Sequence, residues 1–481
     1  MDFLLITTQL KTKVQKMKSK TFLTSLLLLI TSAVFAQDTL SVDEFLAIVK
    51  RYHPLAESYR LQNEIADAQV LKARGNFDPI LAGKNGAKTI DGVDYYRESN
   101  LNLEIPTWYG VDFTGSYNYV EGQRLNSSET SGGLYQLGLT VPLAKNLLYD
   151  KRRATLDQAR SAKNMTLAEQ IFLTNALLLE AENAFWEWAK SYQILQLQIR
   201  TTEVNRLRLE YTKKTLQYGE RAAIDTTEAR SQLQSFELQQ EEAKLQFIKN
   251  TQNLQLFLWR ENQEIYPLTQ LIIPAHNLDY SNAFESFPAL INEIKSNNID
   301  ENVWLKYYFQ KQEILESERR LKRQSFLPKL DFTYNFLNKQ NYSTAFFPLF
   351  NNNYQYGLKL EIPLFLRQAR ADYRIAEIKL RQNDFDTDLK RREILTKAET
   401  YLNEVVNYRN QINLTEQNII NYRQLLNAEE TRFSNGESSL FLINSRENKL
   451  IETQQKAIEL RLKFLKSYNQ LKWLNENFVN D

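Results

Sequence analysis

The sequence contains no cysteine, which excludes disulfides, thiolate metal sites, a cysteine nucleophile and a lipidated mature N-terminus. Histidine is nearly as scarce. His53 and His276 are far apart, each beside a proline or alanine, which favours helix-start and linker positions over a metal or general-base role. Glycine (13) and proline (10) are few for 481 residues, so the chain has long stretches without a breaker. Those stretches are rich in Leu, Gln, Glu, Lys and Arg, the composition of helices. Charge of one sign is also missing: 60 bases and 58 acids are interspersed, which points to neither nucleic acid nor an acidic substrate.

Long apolar runs are confined to the N-terminus. Lys18 and Lys20 precede the run Phe22 to Ile30, which ends in Thr31-Ser32-Ala33-Val34-Phe35-Ala36. A basic region, a short apolar core and a small residue before the cut predict a signal peptide over 1–36, cleaved after Ala36. Met17 is a candidate start, since it begins a signal of ordinary length. No other stretch is apolar for long enough to span a bilayer as a helix, so any crossing must use strands.

The chain repeats itself. Gly219-Glu220 and Gly436-Glu437 open matching segments at an offset of 217 residues, and Tyr135-Gln136-Leu137-Gly138-Leu139 matches Tyr354-Gln355-Tyr356-Gly357-Leu358 at an offset of 219. Phe77-Asp78-Pro79 and Phe326-Leu327-Pro328 lie 249 apart, so the first copy holds about thirty extra residues. This predicts a first repeat over 37–265, with strands within 77–142 and a long helix at about 150–217. A linker over 266–283 follows. The second repeat covers 284–481, with strands within 326–363 and a long helix at about 367–434.

Within the strand regions the period is two. Tyr354, Tyr356, Leu358, Leu360 and Ile362 alternate with Gln355, Gly357, Lys359 and Glu361. Leu101–Leu103–Ile105, Val111–Phe113 with Tyr117–Tyr119, Tyr135–Leu137–Leu139–Val141 and Phe332–Tyr334–Phe336 repeat the pattern. One apolar and one polar face fits a half-buried soluble strand, and equally a membrane barrel with lipid outside and water inside. The export signal, the Tyr and Phe enrichment and the lack of a covering helix favour the barrel. Four to six strands fall short of the roughly eight that close one, so a barrel in lipid must be shared between chains.

The helical stretches are too long for a globule. Leu156, Ala159, Ala162, Met165, Ala168 and Ile171 recur at steps of three and four, and the series resumes at Leu178, Ala181, Phe185 and Trp188. Nearly seventy helical residues would measure roughly 100 Å. Shorter helices at about Pro54–Arg74 with Asp225–Leu258, and Glu301–Arg323 with Leu440–Leu474, nearly match the long ones end to end. A filament-like bundle is the alternative, against which the strand pairs embedded at one end of every rod argue.

These residues resemble the outer-membrane efflux proteins of the TolC family, whose repeat occurs twice per chain. The resemblance rests on Phe326-Leu327-Pro328-Lys329-Leu330, on Val141-Pro142-Leu143 and Ile362-Pro363-Leu364 ending strands, and on the turns Tyr218-Gly219 and Phe433-Ser434-Asn435-Gly436. It implies a mixed α and β fold, in which a long antiparallel α-helical, coiled-coil-like barrel continues into a transmembrane β-barrel built by a homotrimer. It further implies a passive exit duct of a tripartite efflux or type I secretion system in the outer membrane of a Gram-negative bacterium, extending into the periplasm. Its partners would be outer-membrane lipid, a periplasmic adaptor protein and, through it, an inner-membrane pump. No catalytic residue, cofactor or metal is implied. The alternative is a secreted or surface coiled-coil structural protein or adhesin.

Family members commonly narrow their inner end with acidic residues six and nine positions after the second turn glycine. Here those positions are Leu442 and Ser445, whereas the first copy offers Asp225 and Glu228 as candidate constriction residues. Asp225 as a helix N-cap is the competing reading. Gly219, Glu220, Gly436 and Glu437 are the candidate helix-tip residues for contact with the adaptor, a geometric helix end being the alternative. Gly219 and Gly436 are expected in positive-φ turns. The extra residues centre on Leu101 to Gly122, with Pro106-Thr107-Trp108-Tyr109-Gly110 as a turn. They either add two strands or form an outer loop.

Overall fold

The computed structural model describes residues 39–126, 129–267, 272–275, 278, 280–339 and 353–476. The signal segment and His276 lie outside the described residues. Two compact units divide the chain, and each draws on both its halves. One takes the described parts of Met1–His53, Glu180–Asn282 and Asn407–Lys466; the other takes Pro54–Leu179, Ala283–Val406 and Ser467–Asp481.

The second unit holds the sheet. Strands β2 (Ile80–Ile90), β3 (Val93–Pro106), β4 (Asp112–Glu121), β5 (Gly132–Pro142), β7 (Lys329–Lys339) and β8 (Tyr354–Glu361) hydrogen-bond in the order β2-β3-β4-β5-β7-β8, antiparallel throughout. The extra residues of the first half therefore lie in the sheet and not in a separate loop. Asp91 (φ 51°) and Gly92 (φ 78°) close the β2–β3 hairpin with positive φ at both central positions, the turn whose twist suits two strands. Alternation did not mark β2: Gly83, Lys84, Asn85, Gly86 and Lys88 interrupt its apolar residues, and its pairing to β3 supplies what its own side chains do not.

Parts of five helices form two small cores in this unit. Val70 and Ala73 of α2 (Pro54–Arg74) bury Phe77 against Leu156 of α3 (Lys151–Gln217), and Phe77 stacks on Trp108 of the β3–β4 turn at 4.0 Å. Leu305 of α6 (Val303–Gln324), Ile394 of α7 (Arg367–Ser434) and Leu474 of α8 (Leu440–Glu476) form another core, flanked by Phe172 edge-on to Trp304 at 4.1 Å. Helix α5 (Ser281–Ser296), with Pro288 inside it, also falls largely here.

The first unit is almost wholly helical. It contains the later part of α3, all of α4 (Ala223–Gln255), the end of α7 and most of α8. Helix α1 (Val42–Tyr52) opens with a capping box, Ser41 and Glu44 each satisfying the other's backbone amide, and buries Phe45 on Phe185. Strand β1 (Thr39–Leu40) lies parallel to β6 (Ile273–Pro274). His53 caps the end of α1 and packs against Phe257 and Trp259; burial moves its pKa down. Neither α3 nor α7 contains glycine or proline, and they run 67 and 68 residues. Among the described residues no helix is long and apolar enough to cross a membrane.

Candidate channel wall and helix-tip site

The register sorts the sheet into two chemically distinct faces. Leu103, Gly115, Leu137, Phe336 and Tyr354 are successive cross-strand partners on one face, and Ile105, Phe113, Leu139, Tyr334 and Tyr356 on the next row. Among the described residues no helix covers this face: Tyr356 is 68%, Leu358 63% and Leu360 59% exposed. In water, so large an apolar surface would be a liability, since isolated domains rarely expose more than a few hundred Å² of it. Tyrosines gather toward the loop end of the sheet, with Tyr117 facing Tyr135 at 4.9 Å and Tyr334 stacked on Tyr354 at 6.1 Å.

The opposite face is a polar ladder. Asn100 bonds Asn118; Ser116 and Asn118 both reach Gln136 at 3.4 Å; Thr140 meets Thr333 at 3.4 Å, and Asn335 donates to Gln355 at 3.4 Å. Lys84 pairs with Glu98 on the same face at 2.6 Å. At Gly138 the ladder is close: a Cβ there would clash with the Asn335 amide oxygen and the Thr114 hydroxyl, so these side chains would have to shift. A sheet apolar on one side and polar on the other suits lipid on one side and water on the other. Strands β2 and β8 end the order, and among the described residues each is paired on one side only.

The helix tips lie in the first unit. Gly219 (φ 74°) and Gly436 (φ 80°) end α3 and α7 with the same bond pattern. Glu220 N–H reaches the Thr215 carbonyl at 3.0 Å and Gly219 N–H that of Leu216 at 3.0 Å; Glu437 and Gly436 repeat this on Arg432 (2.9 Å) and Phe433 (3.0 Å). Both ends are Schellman motifs, which need a left-handed residue. Around them Leu209, Leu233, Leu426, Phe433, Leu440 and Ile443 form one core. Arg221 ties the tips together: it lies 3.8 Å over the Phe433 ring and donates to the Phe433 carbonyl at 2.7 Å.

Asp225 is not the N-cap of α4, and that reading is corrected. Ala222 occupies the cap with no side-chain hydrogen bond, and the Asp225 amide bonds the Ala222 carbonyl at 3.1 Å. Asp225 stands in the first turn, where its charge faces the positive helix end. Glu228 lies on the same helix face, three residues on, and accepts from Asn444 of α8 at 3.1 Å.

Sequence reasoning missed the clamp behind the tip. Arg208 grips Glu447 with both arms (2.6 and 3.1 Å), Asn205 adds a third donor at 3.2 Å, and Glu447 is 4% exposed. A carboxylate on the otherwise buried stripe Leu440–Ile443–Leu450 was the available signal.

Residues 308–474 match the family described as outer membrane efflux protein. The resemblance to this family is thereby borne out over these residues, and solved structures share the fold over nearly the whole chain. Among solved structures, CusC, whose crystal structures concern folding and transmembrane channel formation, is 15% identical, with 90% of this chain and 91% of that one covered and a TM-score of 0.64. The CmeC outer membrane channel of Campylobacter jejuni is 13% identical over 91% and 86% of the two chains, TM-score 0.62. The outer membrane protein VceC of Vibrio cholerae is 13% identical over 90% and 96%, TM-score 0.62. A search of curated proteins finds no match. Identity this low carries the efflux-protein fold and not the cargo.

Proposed function

We propose that the chain is the outer-membrane channel subunit of a tripartite efflux or type I secretion system, a conduit and not an enzyme. The observation that carries this is the six-stranded sheet with an uncovered apolar face, a hydrogen-bonded polar face and two unpaired edges. An open edge in lipid costs several kcal/mol per unsatisfied backbone group, so the sheet must close. The six described strands of the sheet are an even number. Strand β8 therefore runs opposite to β2, and β8 of one copy meets β2 of the next in the same antiparallel sense as every other pair. In a homotrimer this gives a barrel of about 18 strands, a size that leaves an aqueous lumen. The polar ladder would line that lumen and the tyrosine-rich face would meet lipid.

The long helices would form the periplasmic part, their Gly219-Glu220 and Gly436-Glu437 tips presented to an adaptor protein that links the duct to an inner-membrane pump. Three copies of Asp225, with Glu228 behind it, would form an acidic ring at the inner end, and an acidic ring attracts cations and repels anions. The family match and the sheet weigh against a surface adhesin, whose coiled coil needs no amphipathic sheet. Planar-bilayer recording tests the reading. Purified protein is expected to give cation-preferring channels, and Asp225→Ala to raise conductance or weaken the preference. Absence of channels would refute the conduit, and unchanged currents in the variant would remove the ring.

A further inference from the structure

The wall of the first unit contains a cavity of about 480 Å³ between α3, α7 and α8. Each helix contributes one arginine to it: Arg200, Arg423 and Arg461. Three guanidinium groups around one space repel each other unless anions balance them, and the protein supplies one. Glu416 accepts from Arg461 at 2.8 Å and from the Tyr280 hydroxyl at 2.7 Å, while Arg461 lies over the Tyr280 ring. Among the described residues Arg200 and Arg423 form no ion pair. Arg461 spends one arm on Glu416, and its Nε is buried with no acceptor. A buried guanidinium N–H without a partner costs free energy that an incoming oxygen would recover.

The space is not polar throughout. Leu197, Ile419, Ala457 and Ile458 form an apolar floor beside the Tyr192 ring. Two unbalanced guanidinium groups and a vacant N–H above an apolar floor match a doubly charged head on a small apolar body. Guanidinium groups favour planar and tetrahedral oxyanions because their paired N–H groups bond two oxygens at once.

We infer that this cavity binds a small organic dianion of the phosphate-ester or sulfate-ester class, its head on Arg200, Arg423 and Arg461 and its apolar part on Leu197, Ile419 and Ile458. The site lies within one unit of one chain, so its occupancy does not depend on the barrel.

Isothermal titration of the detergent-purified full chain with phenyl phosphate tests it, with inorganic phosphate and phenol as the two halves of the probe. Phenyl phosphate should bind at one site per chain, and more tightly than either half. Arg200→Gln and Arg423→Gln, both exposed and outside every core, should each weaken it about tenfold, the loss expected for a charge-assisted bond. Arg446→Gln, outside the cavity, should leave it unchanged. Circular dichroism of each variant shows whether the helices are intact. No saturable binding, equal binding of all anions, or equal loss in Arg446→Gln would overturn the assignment. The channel reading stands or falls separately on the bilayer currents.

Discussion

Replacing Arg208 by alanine should loosen the helix tip far more than its place on a half-exposed helix suggests. Arg208 holds Glu447 through two hydrogen bonds, and the Glu447 side chain is 6% exposed. Removing the arginine leaves a buried carboxylate with Asn205 as its remaining donor. Breaking a buried pair from one side costs about 3 to 5 kcal/mol, and the surviving Asn205 bond places this case near the lower end, at about 3 kcal/mol. At a factor of ten per 1.4 kcal/mol, local opening of the tip rises by about a hundredfold. Amide hydrogen exchange reads that opening directly. In Arg208→Ala, amides of 205–217 and 440–450 should exchange about a hundredfold faster, while those of the sheet should not change. The double variant Arg208→Met with Glu447→Leu removes both charges and should restore most of the protection. Equal exchange in the wild type and Arg208→Ala would refute the reasoning, as would a double variant as loose as the single.

The polar ladder makes Gly138 intolerant and Gly357 tolerant. Gly138→Ala displaces the Asn335 amide that donates to Gln355 and should lower the heat-modification midpoint, with a cost of about 1 kcal/mol, whereas Gly357→Ala meets nothing within 4 Å and should be neutral. Gly219→Ala and Gly436→Ala also meet no atom within 4 Å, so their cost is conformational alone, about 1 kcal/mol each, and Asn at either position should recover part of it in the same exchange assay. Burial pushes the Glu187 carboxyl up, but hydrogen bonds from Lys190 and Lys466 hold it below its ordinary value of 4.5. A lowered carboxylate stabilises the fold above 4.5 and loses that contribution as pH falls through the folded value. Thermal stability should therefore be flat near neutrality and drop below about pH 4.5, and Lys466→Met should flatten the drop.

The long rods were legible because a chain without breakers has few other conformations to adopt, and α3 and α7 carry neither glycine nor proline. The strands β5, β7 and β8 were legible because lipid-like and water-like faces force strict alternation. Strand β2 was not: its side chains carry no period, and it exists by pairing with β3. Helix α1 is marked in the sequence by its Ser41–Glu44 box alone, a local signal at its first turn. The tip glycines were readable, since only a positive φ explains a lone glycine at the end of a long helix. The partners behind them were not. Arg208 and Glu447 lie 239 residues apart, and nothing local says that one neutralises the other. Arg221 and Phe433 are likewise far apart in sequence, and nothing local marks their contact. Asp225 was placed by residue type at a cap that Ala222 takes, because the Schellman turn at Gly219 lets the next helix begin earlier than a polar cap would suggest.

Single-particle imaging of the detergent-extracted protein measures the central claim most directly, because it counts strands and copies together. A threefold particle whose micelle-embedded end resolves about 18 strands, with β8 of each copy paired to β2 of its neighbour, is the predicted result. A monomer, or an assembly in which β2 and β8 stay unpaired, would contradict the account.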